Sequence, residues 1–195
     1  MIKRNIYKFN KLRMATFAIC LFATFQLFGQ KFIVTPEGLR DSSNIEKSYV
    51  VIEIEGKSAK QLFDNAKRYI IQTYKNPDVV QKGTIENEYI KFKTYIPYIA
   101  SINTGLSKLK YDANYFTEIY FKDGKVKLEV VNLEIMTAGV PLNFKPKGAL
   151  GGWSIFNNKG ELKQETAKSE IENYFSVLIN SLSSYLKGTQ DSKDW

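Results

Sequence analysis

The side chains best suited to chemistry in this chain are tyrosines, lysines and glutamates that alternate with apolar residues. Tyr49 and Glu53, then Tyr89, Lys91, Lys93 and Tyr95, then Phe116, Glu118 and Tyr120, and finally Lys127 and Glu129 all follow this spacing. In a strand, a period of two sends them to the face away from the buried side chains. Rings interleaved with both charge signs can stack on a sugar or a peptide while fixing its polar groups. The candidate partner-binding residues are therefore Tyr49, Tyr89, Lys91, Lys93, Tyr95, Tyr120 and Lys127, with Trp153 further along the chain. The plainer reading of the same residues is a set of cross-strand pairs on a solvated sheet face.

Glu118 and Glu129 face each other if Asp123-Gly124 forms the centre of a hairpin. Like charges in contact can raise one carboxyl into the range of acid–base work, so this pair is the candidate catalytic couple of a hydrolase. Lys91 and Lys127 nearby would instead neutralise it. Ser184 and Lys187 have the S-x-x-K spacing of Ser–Lys acylases, but no S-D-N or K-T-G accompanies them, and they read as a polar helix edge. The Gly148 to Gly152 stretch leads into no G-K-[ST], so it is not a phosphate loop. Trp153, Ile155 and Phe156 read as packing within their own segment, with a cover over the open sheet face as the other reading. No catalytic residue beyond the low-ranked glutamate pair, no cofactor and no metal site is expected.

That expectation follows from composition. The 195 residues include no histidine and one cysteine, Cys20, which lies in the first 29 residues. Five of the 28 basic residues also lie there, in MIKRNIYKFNKLR, with no acid among them. An apolar run, MATFAICLFATFQLFG, follows; it falls short of the roughly 20 residues that span a bilayer and reads as a secretory signal cleaved near Gly29/Gln30. An uncleaved anchor is the second reading, and lipidation at Cys20 a minor one because Ile19 precedes it. After cleavage the chain has neither Cys nor His, and so no disulfide, thiolate, imidazole base or usual zinc or haem ligand. Only 23 basic residues then stand against 20 acids, too even a balance for duplex binding, which depends on clustered Lys and Arg.

The positioning elements are legible from periodicity. Residues 30–47 read as an extended lead-in to one α+β domain over 48–188, with a tail at 189–195. SYVVIEIE alternates as a strand. Ser58 and Gln61 have capping-box spacing before a helix carrying Leu62, Phe63, Ala66, Tyr69, Ile70 and Tyr74, which Asn76-Pro77 stops. VVQKGTIE and EYIKFKTYI follow as strands. ANYFTEIYFKDGKVKLEVVNLEI places Asp123-Gly124 in a type I′ turn, pairing Phe121 with Val126 and Ile119 with Leu128, with a bulge at Val130-Val131 where the inward phase moves to Val131, Leu133 and Ile135. Residues 137–164, rich in Gly, Pro and Asn, read as a long excursion with a small hairpin at Asn157 to Gly160. A last helix from Glu165 to Lys187 carries Ile171, Phe175, Leu178, Leu182, Tyr185 and Leu186 on one stripe and ends at Gly188. The expected fold is α+β, an antiparallel sheet of about five strands with two helices on one face, in the order strand, helix, four strands, helix.

The stretch YVVIEIEGKSAKQLFDNAKRYIIQTYKNPDVVQKGTIENEYIKFK, and the terminal Asp194-Trp195 after a long helix, resemble a family of exported bacterial domains of unknown function with a TATA-binding-protein-like fold. The resemblance covers roughly Phe32 to Ile135 well. It implies a fold and an export route, and it brings no activity and no site residues. Fold analogy alone does not carry function. The sequence therefore points to an exported, non-enzymatic binding or accessory module in the periplasm or outside the cell, presenting one sheet face to a protein, peptide or envelope glycan, with no nucleic acid and no stable membrane insertion. A weak hydrolase and a structural envelope component are the alternatives.

Overall fold

The computed structural model describes residues 31–105, 107–148 and 152–189; residues 1–29, read above as a cleaved signal, and the end of the tail lie outside the described residues. The chain opens with a hairpin, β1 (Phe32–Thr35) and β2 (Gly38–Asp41), paired only with itself. A second sheet holds β3 (Tyr49–Glu53), β4 (Gln81–Ile85), β5 (Tyr89–Asn103), β6 (Lys108–Lys122), β7 (Lys125–Thr137), β8 (Val140–Asn143) and β9 (Trp153–Ser154). Its order is β4-β5-β6-β7-β8-β9, and β3 pairs with the first part of β7. Every pairing in it is antiparallel except β8 with β9. The helices are α1 (Ala59–Thr73), the short α2 (Pro77–Val80) and α3 (Glu165–Lys187).

The fold is thus α+β with a mostly antiparallel sheet, larger than the five strands expected. The sequence misses β8 and β9 because each is short and contributes little alternation. Leu142, Ile155 and Phe156 are nonetheless buried, so this part of the excursion belongs to the core. The turn read at Asn157 to Gly160 is present, closed by Asn157 N–H donating to Glu161 O at 2.9 Å and flanked by a bridge between Phe156 and Leu162. Val79 and Val80, expected to open a strand, instead complete the single turn α2 that Pro77 begins, since proline suits a first helical position.

Alternation decides which face is buried. Ile90, Phe92, Ala113, Tyr115, Ile119, Phe121, Val126 and Leu128 point inward, against Leu62, Phe63 and Ile70 of α1 and Ile171, Phe175 and Leu182 of α3. Edge-on ring contacts join the layers: Phe63 with Phe121 at 5.5 Å between centroids, Tyr74 with Phe92 at 5.5 Å, and Phe175 with both Tyr115 at 5.5 Å and Phe32 at 5.9 Å. Residues 30–47 are more than a lead-in. Phe32, Val34 and Leu39 are buried, and Val34 N–H donates to Glu172 Oε1 at 2.8 Å, so the hairpin packs on α3.

Local chemistry sets the boundaries. The capping box forms as read: Gln61 N–H donates to Ser58 Oγ at 3.3 Å, and Ser58 N–H to Gln61 Oε1 at 2.9 Å. Gly188 closes α3 with φ 74°. The Asp123-Gly124 register is also as read, with Phe121 opposite Val126 and Ile119 opposite Leu128. The turn type differs. Gly124 takes φ 75° but Asp123 is not among the residues of positive φ, a sign pattern of type II rather than type I′. Tertiary bonds account for it: Asp123 Oδ1 accepts from Ala59 N–H at 2.7 Å, Gly124 N–H donates to Lys57 O at 2.8 Å, and Ile54 N–H to Gly124 O at 2.7 Å. The turn is shaped by the start of α1 as much as by its own strands.

The bulge lies two residues beyond the expected place. Val131 stays in register with Phe116 on the outer face, and Asn132-Leu133 together oppose Tyr115 before the ladder resumes at Glu134 with Asn114. Asn132 takes the extra left-handed step at φ 52°, a conformation asparagine tolerates and valine does not. Replacing Phe175 by Ala should cost about 3–5 kcal/mol in urea unfolding, as expected for a fully buried ring. Asp123→Ala should cost about 1 kcal/mol by removing the acceptor for the first turn of α1, leaving the denaturant slope unchanged.

Candidate functional site

The outward side chains of β3, β7, β6 and β5 stand in rows across the sheet. One row is Val51, Lys127, Tyr120 and Tyr89; the next is Tyr49, Glu129, Glu118 and Lys91. None of these is fully buried, and both described long helices pack on the opposite face. Tyr120 and Tyr89 meet with centroids 4.9 Å apart and planes at 50°. The Lys127 ammonium sits 3.9 Å from the Tyr120 centroid and 5.2 Å from that of Tyr49, while Lys91 lies 5.0 Å from the ring of Phe116.

The two glutamates are in register, as the turn requires, and each is held by its own partners. Lys91 Nζ bonds Glu118 Oε1 at 2.8 Å, and Tyr120 OH donates to Glu118 Oε2 at 2.9 Å. Lys127 Nζ reaches Glu129 Oε2 at 3.3 Å, and Ser48 Oγ donates to Glu129 Oε1 at 3.0 Å. Partial burial raises the Glu118 carboxyl, but hydrogen bonds from Lys91, Tyr120 and Tyr89 together outweigh it and hold the pKa below its ordinary 4.5. A general acid needs the opposite shift. Glu118 is an anion held by three neighbouring donors.

The remaining sequence candidates fall elsewhere. Tyr95, more than half exposed, lies at the other end of β5, where its OH donates to Asp112 Oδ2 at 2.7 Å. Beside it Tyr98 protrudes from a bulge at φ 57°, its N–H donating to Asp112 Oδ1 at 3.0 Å and its ring 4.7 Å from Lys110 Nζ. Lys93, in register with Phe116, lies between the two groups. Trp153 is on β9, beyond β8 at the far end of β7, and the structure does not bring it to the Tyr89–Tyr120 cluster. The Ser184 hydroxyl donates to Asn180 O of its own helix at 3.0 Å, so the S-x-x-K spacing forms no dyad. Among the described residues no three carboxylate, cysteine or histidine side chains gather as metal ligands, and no helix is long and apolar enough to cross a membrane.

Sequence reasoning missed Ser48, Asp112, Tyr98 and the lysines beside the turn, Lys122 and Lys125. Alternation places Lys122 and Lys125 outward, and the turn register was the signal that could have found them. Tyr98 depends on a bulge of residues 97–99 opposite Asp112, which leaves no period to read.

The open face, the first long helix behind it and the central ladder all lie within one stretch. Residues 49–136 match the family described as a domain of unknown function (DUF4468) with TBP-like fold. The DUF4468 stretch runs from β3 to the end of β7, and leaves the opening hairpin, β8, β9 and α3 outside it. A DUF4468 family protein from Bacteroides ovatus is 14% identical, with a TM-score of 0.51 over 75% of this chain and 87% of its own. A TBP-like protein from Parabacteroides distasonis is 13% identical, with a TM-score of 0.45 over 69% of this chain and 90% of its own. At such identity the likeness to the first is one of fold. No curated protein matches the chain.

Tyr120 gives the site a measurable signature. Burial first, and the Glu118 carboxylate second, push its phenol up to about 12 from an ordinary 10.0. The folded state thus favours the protonated phenol, and its contribution to stability should be full below pH 10.0 and drain as pH rises toward about 12. Glu118 acts in the other direction: its contribution should be full above pH 4.5 and drain as pH falls through its lowered folded-state value. Melting temperature against pH should show both losses, and Glu118→Gln should remove the acid one and bring the phenolate absorbance of Tyr120 to lower pH.

Proposed function

We propose that this protein is an exported, non-enzymatic recognition module whose open sheet face captures a protein, peptide or glycan of the cell envelope. The observation that carries the reading is the cluster of Tyr49, Tyr89 and Tyr120 with Lys91, Lys127, Glu118 and Glu129. These side chains are ordered against one another on a face that no described helix covers. A preordered aromatic surface lowers the entropy lost when a partner docks, and charges at its rim select orientation. The basic, acid-free leader followed by an apolar run supports export. The near balance of charge in the remainder argues against nucleic acid, which needs a stripe of cations.

Replacing Tyr89 and Tyr120 together by Ala should cost about 1 kcal/mol of stability from the lost ring pair, leaving the fold intact. The purified protein, immobilised and washed with solubilised cell envelope, should retain a specific component that the double variant loses. Val177→Ala, an exposed substitution on the helical side, should retain it. Equal retention by the double variant and the wild type would remove this face from consideration.

A further inference from the structure

Lys122 and Lys125 stand directly opposite each other where β6 and β7 meet at the turn, and both are exposed. Like charges so placed disfavour a hairpin. Neither lysine has an ion-pair partner among the described residues. Asp123 between them is engaged by Ala59 N–H, and Glu53, in register with Lys125 on β3, forms no bridge to it. One row along, Lys127 lies over the rings of Tyr120 and Tyr49. Tyr49, Val51, Tyr120, Lys122, Lys125 and Lys127 together line a recess of about 330 Å³.

We propose that this recess takes the acidic group of an anionic saccharide, a sugar ring lying against Tyr120 and Tyr49 with its carboxylate or sulfate between Lys122 and Lys125. The inference rests on the recognition face argued above and names its ligand class. An anion there relieves the lysine repulsion and gains charge-assisted hydrogen bonds, whereas a neutral ligand leaves the repulsion in place. Across the floor of the recess the backbone groups of β6 and β7 are paired on both sides, so a peptide lying there finds no main-chain partners; strand addition would instead use the outer edge of β3, which pairs only with β7, and would not bring the peptide's backbone to Lys122 and Lys125. The flat apolar side of a sugar ring needs none. Three lysines suffice for one acidic group and are too few for a run of phosphates.

The test is calorimetric titration with oligogalacturonate, beside its fully methyl-esterified form and a hexaglutamate peptide. The acid form should bind, with affinity falling as salt rises. Esterification should weaken it about tenfold or more, and so should the double variant K122A/K125A, each lost charge-assisted contact being worth such a factor. K122A/K125A should melt no lower than the wild type, since it removes a repulsion. K159A/K163A, which removes the same charge from an exposed loop, should change the affinity by less than about twofold. Equal binding of acid and ester, equal losses in the two lysine pairs, or hexaglutamate binding as tightly as the sugar would each overturn the inference. Loss in Y89A/Y120A with K122A/K125A unaffected would remove the anion subsite and leave the recognition face standing. Binding of neither sugar form would remove the saccharide, and the face would then stand or fall by retention of envelope material.

Discussion

The structure depends on one fully buried ring. Phe175, midway along α3, meets Phe32 of the opening hairpin, Tyr115 of the central strand and its own neighbour Tyr174, all edge-on. Three parts of the chain that are far apart in sequence converge there, and edge-to-face geometry fixes their orientation as well as their proximity. The hydroxyls of Tyr115 and Tyr174 bond each other at the border of this contact, so the polar ends of the rings are satisfied without water. Because α3 comes last in the chain, the hairpin's bond from Val34 to Glu172 joins residues 138 positions apart, a non-local pairing of the kind that slows folding.

Committing both long helices to one side has a direct effect on the other. The outer face has no apolar layer to satisfy, so its residues are free to be aromatic and charged, and they organise by pairing with one another. Lys91 with Glu118, Lys127 with Glu129 and Lys127 over Tyr120 each contribute little alone at a solvated surface. As a connected group they limit each other's rotamers. The rings of Tyr89 and Tyr120 are therefore held in position at modest energetic cost, and a surface of this kind can vary without disturbing the core beneath it.

Legibility in the sequence followed the strength of local signals. The Ser58–Gln61 box, the stripe from Ile171 to Leu186 and the Asp123-Gly124 register were all readable, because each depends on residues a few positions apart. The in-register placement of Glu118 and Glu129 came from the same source. What was not readable depended on partners far along the chain. Residues 30–47 read as an extended lead-in until Glu172 and Phe175 are brought to Val34 and Phe32, the turn type was altered by Ala59 and Lys57, and Trp153 was grouped with the tyrosines although the topology sets it on a distant strand. The outward grouping of Tyr49, Tyr89 and Tyr120 was legible, and its separation from Tyr95 was hidden by the bulge in β5.

Asn132 has a wider significance than its place at a strand irregularity suggests. It inserts a single step that resets the inside–outside parity of β7, so that Val126 and Leu128 before it and Ile135 after it reach the same interior. Pairing the strand regularly with every residue kept would turn its distal half over, driving Glu134 and Met136 toward the helices and Ile135 into water, whereas loss of Asn132 itself would leave Ile135 opposite Ala113 and the phase unchanged. A sequence of this fold can therefore lose the step only together with one residue, or else must exchange the inward and outward sets of every later position at once, and the bulge acts as a frame marker that ties strand length to pattern.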